Sequence, residues 1–417
     1  MNLIAGAARM WLTKSFRPFT FTNQTRGVLE YNNTESLGLY VHLPFCRSLC
    51  AFCPYCKILY HKETARRYIE ALISEIELVC ESQPMKKNVS SLYFGGGSPA
   101  LLADDLEKII ATLRKYFIIR DGIGVELHPD DVTKETLTTL KDAGITKISI
   151  GIQSFSGKFL KVLGREGNDI KGIFQYIHNI PFETISMDFI FALPGQTFET
   201  VKNDIDTAFE NGANHVALYP FIDFTFTKSR IPKMRGVQKR KLMDKISDYC
   251  TQKGYIRDSV WTFAKPDTKP YSSMTRDNFL GFGCSATTLL KKQFKVNTFS
   301  IEDYIRCINT GKLPTALTLN FTQRQRMIYY LFWRFYTTKM NPADFENFFG
   351  VAINKVYGFE LRLAELLGFI DKSSKVYIMT KKGAFYYHYF ESYYTLSYID
   401  KMWGLLQLEA FPGNMTL

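Results

Sequence analysis

Between residues 37 and 222 short β-rich runs alternate with amphipathic helical stretches, and this alternation limits the fold more than any other feature. The pattern predicts strands at 37–44, 91–95, 123–128, 146–152, 184–191 and 215–220. Helices are expected between them at 63–81, 103–117, 133–142, 156–178 and 197–211. Gly144 and Gly212 stand where a left-handed residue closes a helix. Strands separated by helices pair in parallel, and right-handed crossovers curl such a sheet into a barrel or part of one. Ligands of parallel α/β sheets bind at the C-terminal ends of the strands. The unusual residues of this chain cluster at those ends. They are a run of cysteines after the first strand, Gly95–Pro99 after the second, Glu126 and His128 at the third, Gln153 after the fourth and Asp188 in the fifth.

The cysteines are Cys46, Cys50 and Cys53, spaced C-x3-C-x2-C, with Cys56 three residues on. Three thiolates on one loop can cap three corners of a 4Fe–4S cube and leave the fourth iron open. Zinc also takes four thiolates, though its sites usually pair two C-x2-C knuckles and no second knuckle occurs here. Structural thiols are the third reading. The turn Gly95-Gly96-Gly97-Ser98-Pro99 matches neither G-x-G-x-x-G nor the P-loop, which disfavours a dinucleotide or a triphosphate. Consecutive glycines do let the backbone approach a ligand's polar groups. Beside a cysteine trio, such a turn points to S-adenosylmethionine.

Together, Leu39–Cys53, Gly95–Pro99, Gly151–Phe155, Arg165-Glu166 and Asp188–Gln196 resemble the radical S-adenosylmethionine enzymes of the oxygen-independent coproporphyrinogen III oxidase family. The resemblance runs from about Leu37 to Pro220 and more loosely beyond. It implies an α/β fold: a partial (β/α)6 barrel followed by a C-terminal helical, winged-helix-like module. It also implies a reduced 4Fe–4S cluster that cleaves S-adenosylmethionine, the resulting 5′-deoxyadenosyl radical acting on a tetrapyrrole. Carried over by position, Cys46, Cys50 and Cys53 would hold the cluster. Tyr40, Gly96, Gly97, Ser98, Glu126 and Arg165 would contact the cofactor. Phe52, Gln153 and Asp188 match positions associated with a second S-adenosylmethionine. An electron donor such as flavodoxin or ferredoxin is expected. Cys56 departs from the family spacing by one residue and reads as a non-ligand, because four protein ligands would close the open iron.

Within the family, the haem-chaperone branch carries a His-Asn-x-x-Tyr-Trp segment that is lacking here, which favours an enzyme over a carrier. The stretch Tyr271–Thr287 and the C-terminal part lean toward the branch with anaerobic haem-degrading and other tetrapyrrole-modifying members. Were haem carried instead, His42, His128, His215 and Cys284 are the candidate iron ligands.

The rest of the chain divides into an N-terminal arm (1–36), a barrel (37–222), a less regular barrel extension (223–320) and the helical module (321–417). Leu366–Ile370, a polar turn at 371–375 and Val376–Ile378 suggest a helix feeding a hairpin wing, with another helix opening at Thr380. The wing lacks a basic cluster matched to a basic helix, so no nucleic-acid partner is expected. The net charge of +12, densest between Lys228 and Lys245, together with 34 Phe and 24 Tyr, suits a flat, apolar, carboxylate-edged ligand. No apolar run reaches membrane-spanning length. Arg9, Lys14 and Arg17 follow a short apolar start without the ordered regions of a signal peptide. A cytoplasmic, reducing setting is therefore expected.

Overall fold

The computed structural model describes all residues except 1, 16–17, 24–28, 35, 84, 168, 270, 272–276 and 374. Arg17 and most of the Tyr271–Asp277 stretch therefore lie outside the described residues.

Six parallel strands form the centre: β1 (Leu37–Leu43), β2 (Leu92–Gly96), β3 (Ile123–Leu127), β4 (Lys147–Gln153), β5 (Thr184–Phe191) and β6 (His215–Pro220). They pair in sequence order, each parallel to the next. Their apolar residues are β-branched or large. Val41, Leu43, Phe94, Val125, Ile148, Ile150 and Met187 are all fully buried. Each such side chain contributes about 1.5–3 kcal/mol by leaving water, which is why these segments read as near-continuous apolar runs.

The helices that return the chain start where hydrogen-bonding caps stand. Thr133 accepts from Thr136 N–H before Lys134–Asp142, and Thr197 accepts from Thr200 N–H before Phe198–Glu210. The helix expected at 156–178 is two helices, Gly157–Val162 and Ile170–Asn179. Gly164 takes φ +70° and ends the first, and Asp169 caps the second by accepting from Gly172 N–H. Arg165 lies in the break, where a continuous helix would have directed its side chain elsewhere.

Residues 223–320 are more regular than their sequence suggests. They add β7 (Ile256–Arg257) and β8 (Thr262–Ala264) beyond β6. Beyond β1 they add β9 (Asn278–Phe282), β10 (Thr287–Leu289), β11 (Gln293–Asn297) and β12 (Thr315–Asn320). The twelve strands run β7-β8-β6-β5-β4-β3-β2-β1-β9-β10-β11-β12. β9 lies parallel to β1 and turns tightly into β10. A Cβ on Gly281 would sit 2.1 Å from Thr287 O, so only glycine fits there.

The C-terminal module packs helices Gln323–Tyr336, Pro342–Phe349, Ile353–Leu366 and Lys381–Tyr394 around a three-stranded sheet. That sheet pairs Val376–Met379 with both Ile370–Ser373 and Lys339–Met340. Thr380 caps the last helix by accepting from Gly383 N–H. Its aromatic residues form a separate core around Tyr330, Phe345 and Tyr357 and line a cavity of about 430 Å³ against the N-terminal helix Asn2–Thr13. A further helix, Asp400–Leu408, sets Trp403 against Tyr55, so the module reaches the cysteine loop. No helix among the described residues is long and apolar enough to cross a membrane.

Candidate functional site

The glycine turn and the cysteine loop are built against each other. Gly97 N–H donates to Leu43 O at 2.9 Å, and Ser98 N–H donates to Phe45 O at 2.8 Å. Gly96 takes φ +132°, and a Cβ there would lie 2.6 Å from Leu43 O. A Cβ on Gly97 would lie 2.4 Å from Phe45 O and 2.8 Å from Cys46 Sγ. The missing side chains thus leave room beside a candidate ligand sulfur.

The three thiols are near enough to affect one another. Burial pushes the Cys46 thiol up to about 12, with Cys53 and Cys50 adding to the rise and Lys57 and Arg165 opposing it. Burial likewise raises Cys53. A metal bound to these sulfurs would deprotonate them. Among the described residues no three His, Cys, Asp or Glu side chains gather as they would around a single ion. A cube asks for something else, because its thiolates cap separate irons. The donor set and the space beside Cys46 therefore fit a cluster.

Cys56 points away from this group. It is buried, with Sγ 3.7 Å from Cys284 Sγ and 3.4 Å from Phe299 O. Contact with Cys284, against the opposing effect of burial, lowers it to about 5, and His42 helps.

Arg165 joins several expected residues. Its Nη1 donates to Gly151 O at 2.6 Å, its Nε donates to Cys50 Sγ at 3.3 Å, and its guanidinium lies 5.7 Å from the Phe52 ring centre. Gln153, at the end of β4, holds φ +67°, a strained conformation for a non-glycine residue. The following Ser154 and Phe155 are fixed by Asp204, which accepts from Ser154 Oγ at 2.9 Å and Phe155 N–H at 2.8 Å.

Strand register gathers the rest. Glu126 pairs with Ser149, Ser149 with Ser186, and Ser186 with His215, forming one polar row across β3 to β6. Asp188 lies two residues beyond Ser186 on the same face. Glu126 accepts from Tyr93 Oη at 3.0 Å and Gly96 N–H at 3.3 Å. Tyr93 in turn accepts from Tyr271 at 2.8 Å and stacks on Tyr40. Burial, then repulsion from Asp188, pushes Glu126 up to about 7. Asp188 is raised by burial too, while Ser149, His215 and Ser186 pull it back. Two partly accessible acids at the strand ends, one held near neutrality, offer acceptors for hydroxyls or an ammonium.

Ser98 has a different setting from the one its motif implies. Its hydroxyl donates to Asp131 and accepts from His128 N–H at 3.0 Å, and Asp131 also pairs with Arg47 at 2.7 Å. Ser98 thus braces the turn from below.

Of the four candidate haem ligands, three are buried. His42 uses Nδ1 on Tyr40 Oη at 2.9 Å and Nε2 on Cys56 O at 3.0 Å. His215 is buried between Ser186 and Asp258. Cys284 is buried against Cys56 and Thr298 O. His128 keeps Nε2 uncommitted among the described residues, its Nδ1 facing Asp130.

Tyr93, Ser149, Ser186 and Asp204 were not singled out from sequence. Polar residues at equivalent register inside apolar parallel strands were the available signal.

Known proteins resemble this chain in sequence and fold. Residues 40–208 match the radical SAM superfamily. The chain is HemN/HemW-like. It is 29% identical over 337 residues to the heme chaperone HemW of Lactococcus lactis, covering 76% of this chain and 86% of that one. It is 24% identical to an oxygen-independent coproporphyrinogen III oxidase of Synechocystis, covering 75% and 72%. Its fold matches the structure of coproporphyrinogen III oxidase (HemN) from Escherichia coli with a TM-score of 0.73 over 92% of this chain and 98% of that one, at 21% identity. The superfamily's cofactors are a 4Fe–4S cluster and S-adenosylmethionine. Two heme chaperones HemW match at 25–29% identity beside the coproporphyrinogen III oxidases, so likeness to known proteins supports carrier and enzyme alike.

Proposed function

We propose that this HemN/HemW-like protein cleaves S-adenosylmethionine reductively and modifies a tetrapyrrole, coproporphyrinogen III or haem, by radical chemistry. The observation that carries the reading is the meeting of the cysteine loop with Arg165, Phe52, Glu126 and Asp188 at one end of the parallel strands. The cluster, when bound, supplies the electron that splits S-adenosylmethionine into methionine and a 5′-deoxyadenosyl radical. The chain's own residues bind and orient. The glycine turn presents backbone groups to the methionyl end, and Arg165 offers a fork to a carboxylate. Glu126 and Asp188 accept from ribose hydroxyls or an ammonium. Phe52 and the rings of Tyr40 and Tyr93 supply apolar walls. An electron donor of the flavodoxin or ferredoxin kind and a cytoplasmic setting belong to the same proposal.

A second reading, a haem chaperone that transfers haem unchanged, is favoured by the likeness to HemW. Here His128 is the candidate iron ligand. Anaerobic incubation of cluster-loaded protein with S-adenosylmethionine, reductant and either tetrapyrrole, followed by mass spectrometry, separates the two. The enzyme reading expects 5′-deoxyadenosine in proportion to an altered tetrapyrrole. Haem returned intact to an apo-acceptor, with no altered product under any reducing condition, establishes the chaperone.

A further inference from the structure

Two hydrophobic cores meet in the C-terminal half without merging. The barrel core reaches Tyr387 and Met402, and the module core is built around Tyr330, Phe345 and Tyr357. Between them lies the cavity of about 430 Å³, walled by Tyr387 and Met402 on one side and by Tyr357 and Leu361 on the other. Folded interiors pack about as densely as organic crystals and leave few voids larger than a water. An empty apolar cavity of this size forfeits the contacts its walls could make, and water inside it would find few partners. Pockets that take small ligands run from roughly 300 to 1,000 Å³.

Two helices depart from regular geometry where they line this space. Tyr357 has φ −130° and ψ 23° inside Ile353–Leu366. Thr395–Ile399, which contributes Tyr398 and Ile399 to the wall, is a π-helical turn, a rare form that recurs at functional sites. The polar groups are few. Tyr357 is 1% exposed, and its hydroxyl has no hydrogen-bond partner among the described residues. Such a group costs stability until something accepts from it. Burial pushes Tyr357 up to about 12, so it keeps its proton and can donate. The Arg324 guanidinium lies 5.4 Å from its ring centre. Among the described lining residues Arg9 and Glu360 carry charge, and Glu360 accepts from Trp11 Nε1 at 2.9 Å.

The cavity has an apolar mouth. Tyr386 and Phe390 line it and are also exposed. Phe359, Leu363, Leu366 and Leu367 recur at helical spacing and are all exposed, Leu366 at 85%. Trp11 packs on Phe359 at one end of this stripe, and Phe369 packs on Tyr386 at the other. Exposed apolar surface of this kind marks a place where something binds.

We propose that the cavity binds one long-chain fatty acid, its chain lying between the two cores and its carboxylate accepting from Tyr357, with Arg9 supplying the opposite charge. A tetrapyrrole fits the walls less well, since it carries two or more carboxylates and the described lining offers one cation. The site is separate from the strand ends and does not depend on the chemistry proposed there.

Full-length, cluster-loaded protein stripped of lipid is titrated with oleate by calorimetry, below the concentration at which oleate forms micelles. One oleate should bind per chain. Tyr357→Phe, which removes only the orphan hydroxyl, should weaken it several-fold. Ala364→Trp, which fills the cavity from its wall, should abolish it while iron content and circular dichroism stay as in the wild type. A diazirine-bearing fatty acid, photolysed on the wild type, should label cavity-lining residues, which gives a reading even where Ala364→Trp fails to fold. No saturable binding, many oleates per chain, or label confined to other surfaces overturns the proposal. Equal displacement of oleate by haemin at the same concentration overturns it in favour of a tetrapyrrole. Wild-type affinity in Tyr357→Phe overturns the assignment of Tyr357 as the donor.

Discussion

At the scale of single residues, environment separates side chains that the sequence presents as equals. Four cysteines lie within eleven positions, yet Cys46, Cys50 and Cys53 remain partly accessible while Cys56 is buried against Cys284. Replacing any of the first three with Ala should abolish the 4Fe–4S absorption and lower bound iron, whereas Cys56→Ala should keep both. Iron analysis after anaerobic reconstitution decides it, and loss of iron in Cys56→Ala would mean that the trio is misassigned. Arg165 is the corresponding cation. Its contacts with Gly151 O and Cys50 Sγ aim it at the loop's open side, so Arg165→Ala should weaken S-adenosylmethionine binding by about 1–3 kcal/mol. Wild-type affinity by calorimetry would contradict that.

At the scale of elements, the turn after β2 matters through what it lacks. Gly97 lies against both Phe45 O and Cys46 Sγ, and neither the backbone nor a cluster-bound sulfur can yield easily. Gly97→Ala should therefore lower cluster occupancy more than it lowers secondary structure, as read by iron content beside circular dichroism. Full iron loading in that variant would show that the loop has slack. The sequence motif around Gln153 gains a mechanical explanation from Asp204, which reaches over from Phe198–Glu210 to hold Ser154 and Phe155. The helix break at Gly164 is another local matter with a wider result, since it leaves Arg165 on a loop facing the cysteines.

At the scale of the whole molecule, the sheet extension is tied to the barrel by a buried carboxyl. Glu75, on Lys62–Cys80, accepts from Gly283 N–H at 2.7 Å, Asn297 Nδ2 at 2.9 Å and Tyr304 Oη at 2.7 Å. Burial outweighs these donors and pushes it up to about 7. The folded state thus holds the proton more tightly than the unfolded chain, where a Glu releases it at about 4.3. The contribution to stability is full below that value and is lost as pH rises toward and through 7, by up to roughly 3 kcal/mol. Denaturant unfolding at pH 5 and pH 8 should show wild-type stability falling over this interval by more than that of Glu75→Gln. Equal falls in the two proteins would place the pH dependence elsewhere.

The sequence by itself determined the parallel strands of the barrel almost to the residue, because apolar β-rich runs and capping residues act locally. It also determined the cysteine loop and the glycine turn, whose chemistry is written in consecutive positions. Only the tertiary structure decided which polar residues meet. Ser149, Ser186 and His215 are ordinary in sequence and become one row through strand register. The same holds for residues 223–320, whose short strands acquire partners only at the edges of a sheet already formed. His215 could be read from sequence as an iron ligand, but it is buried and its Nδ1 is held by Ser186. Hydrogen bonds across strands are long-range in sequence and short-range in space, and no local pattern encodes them.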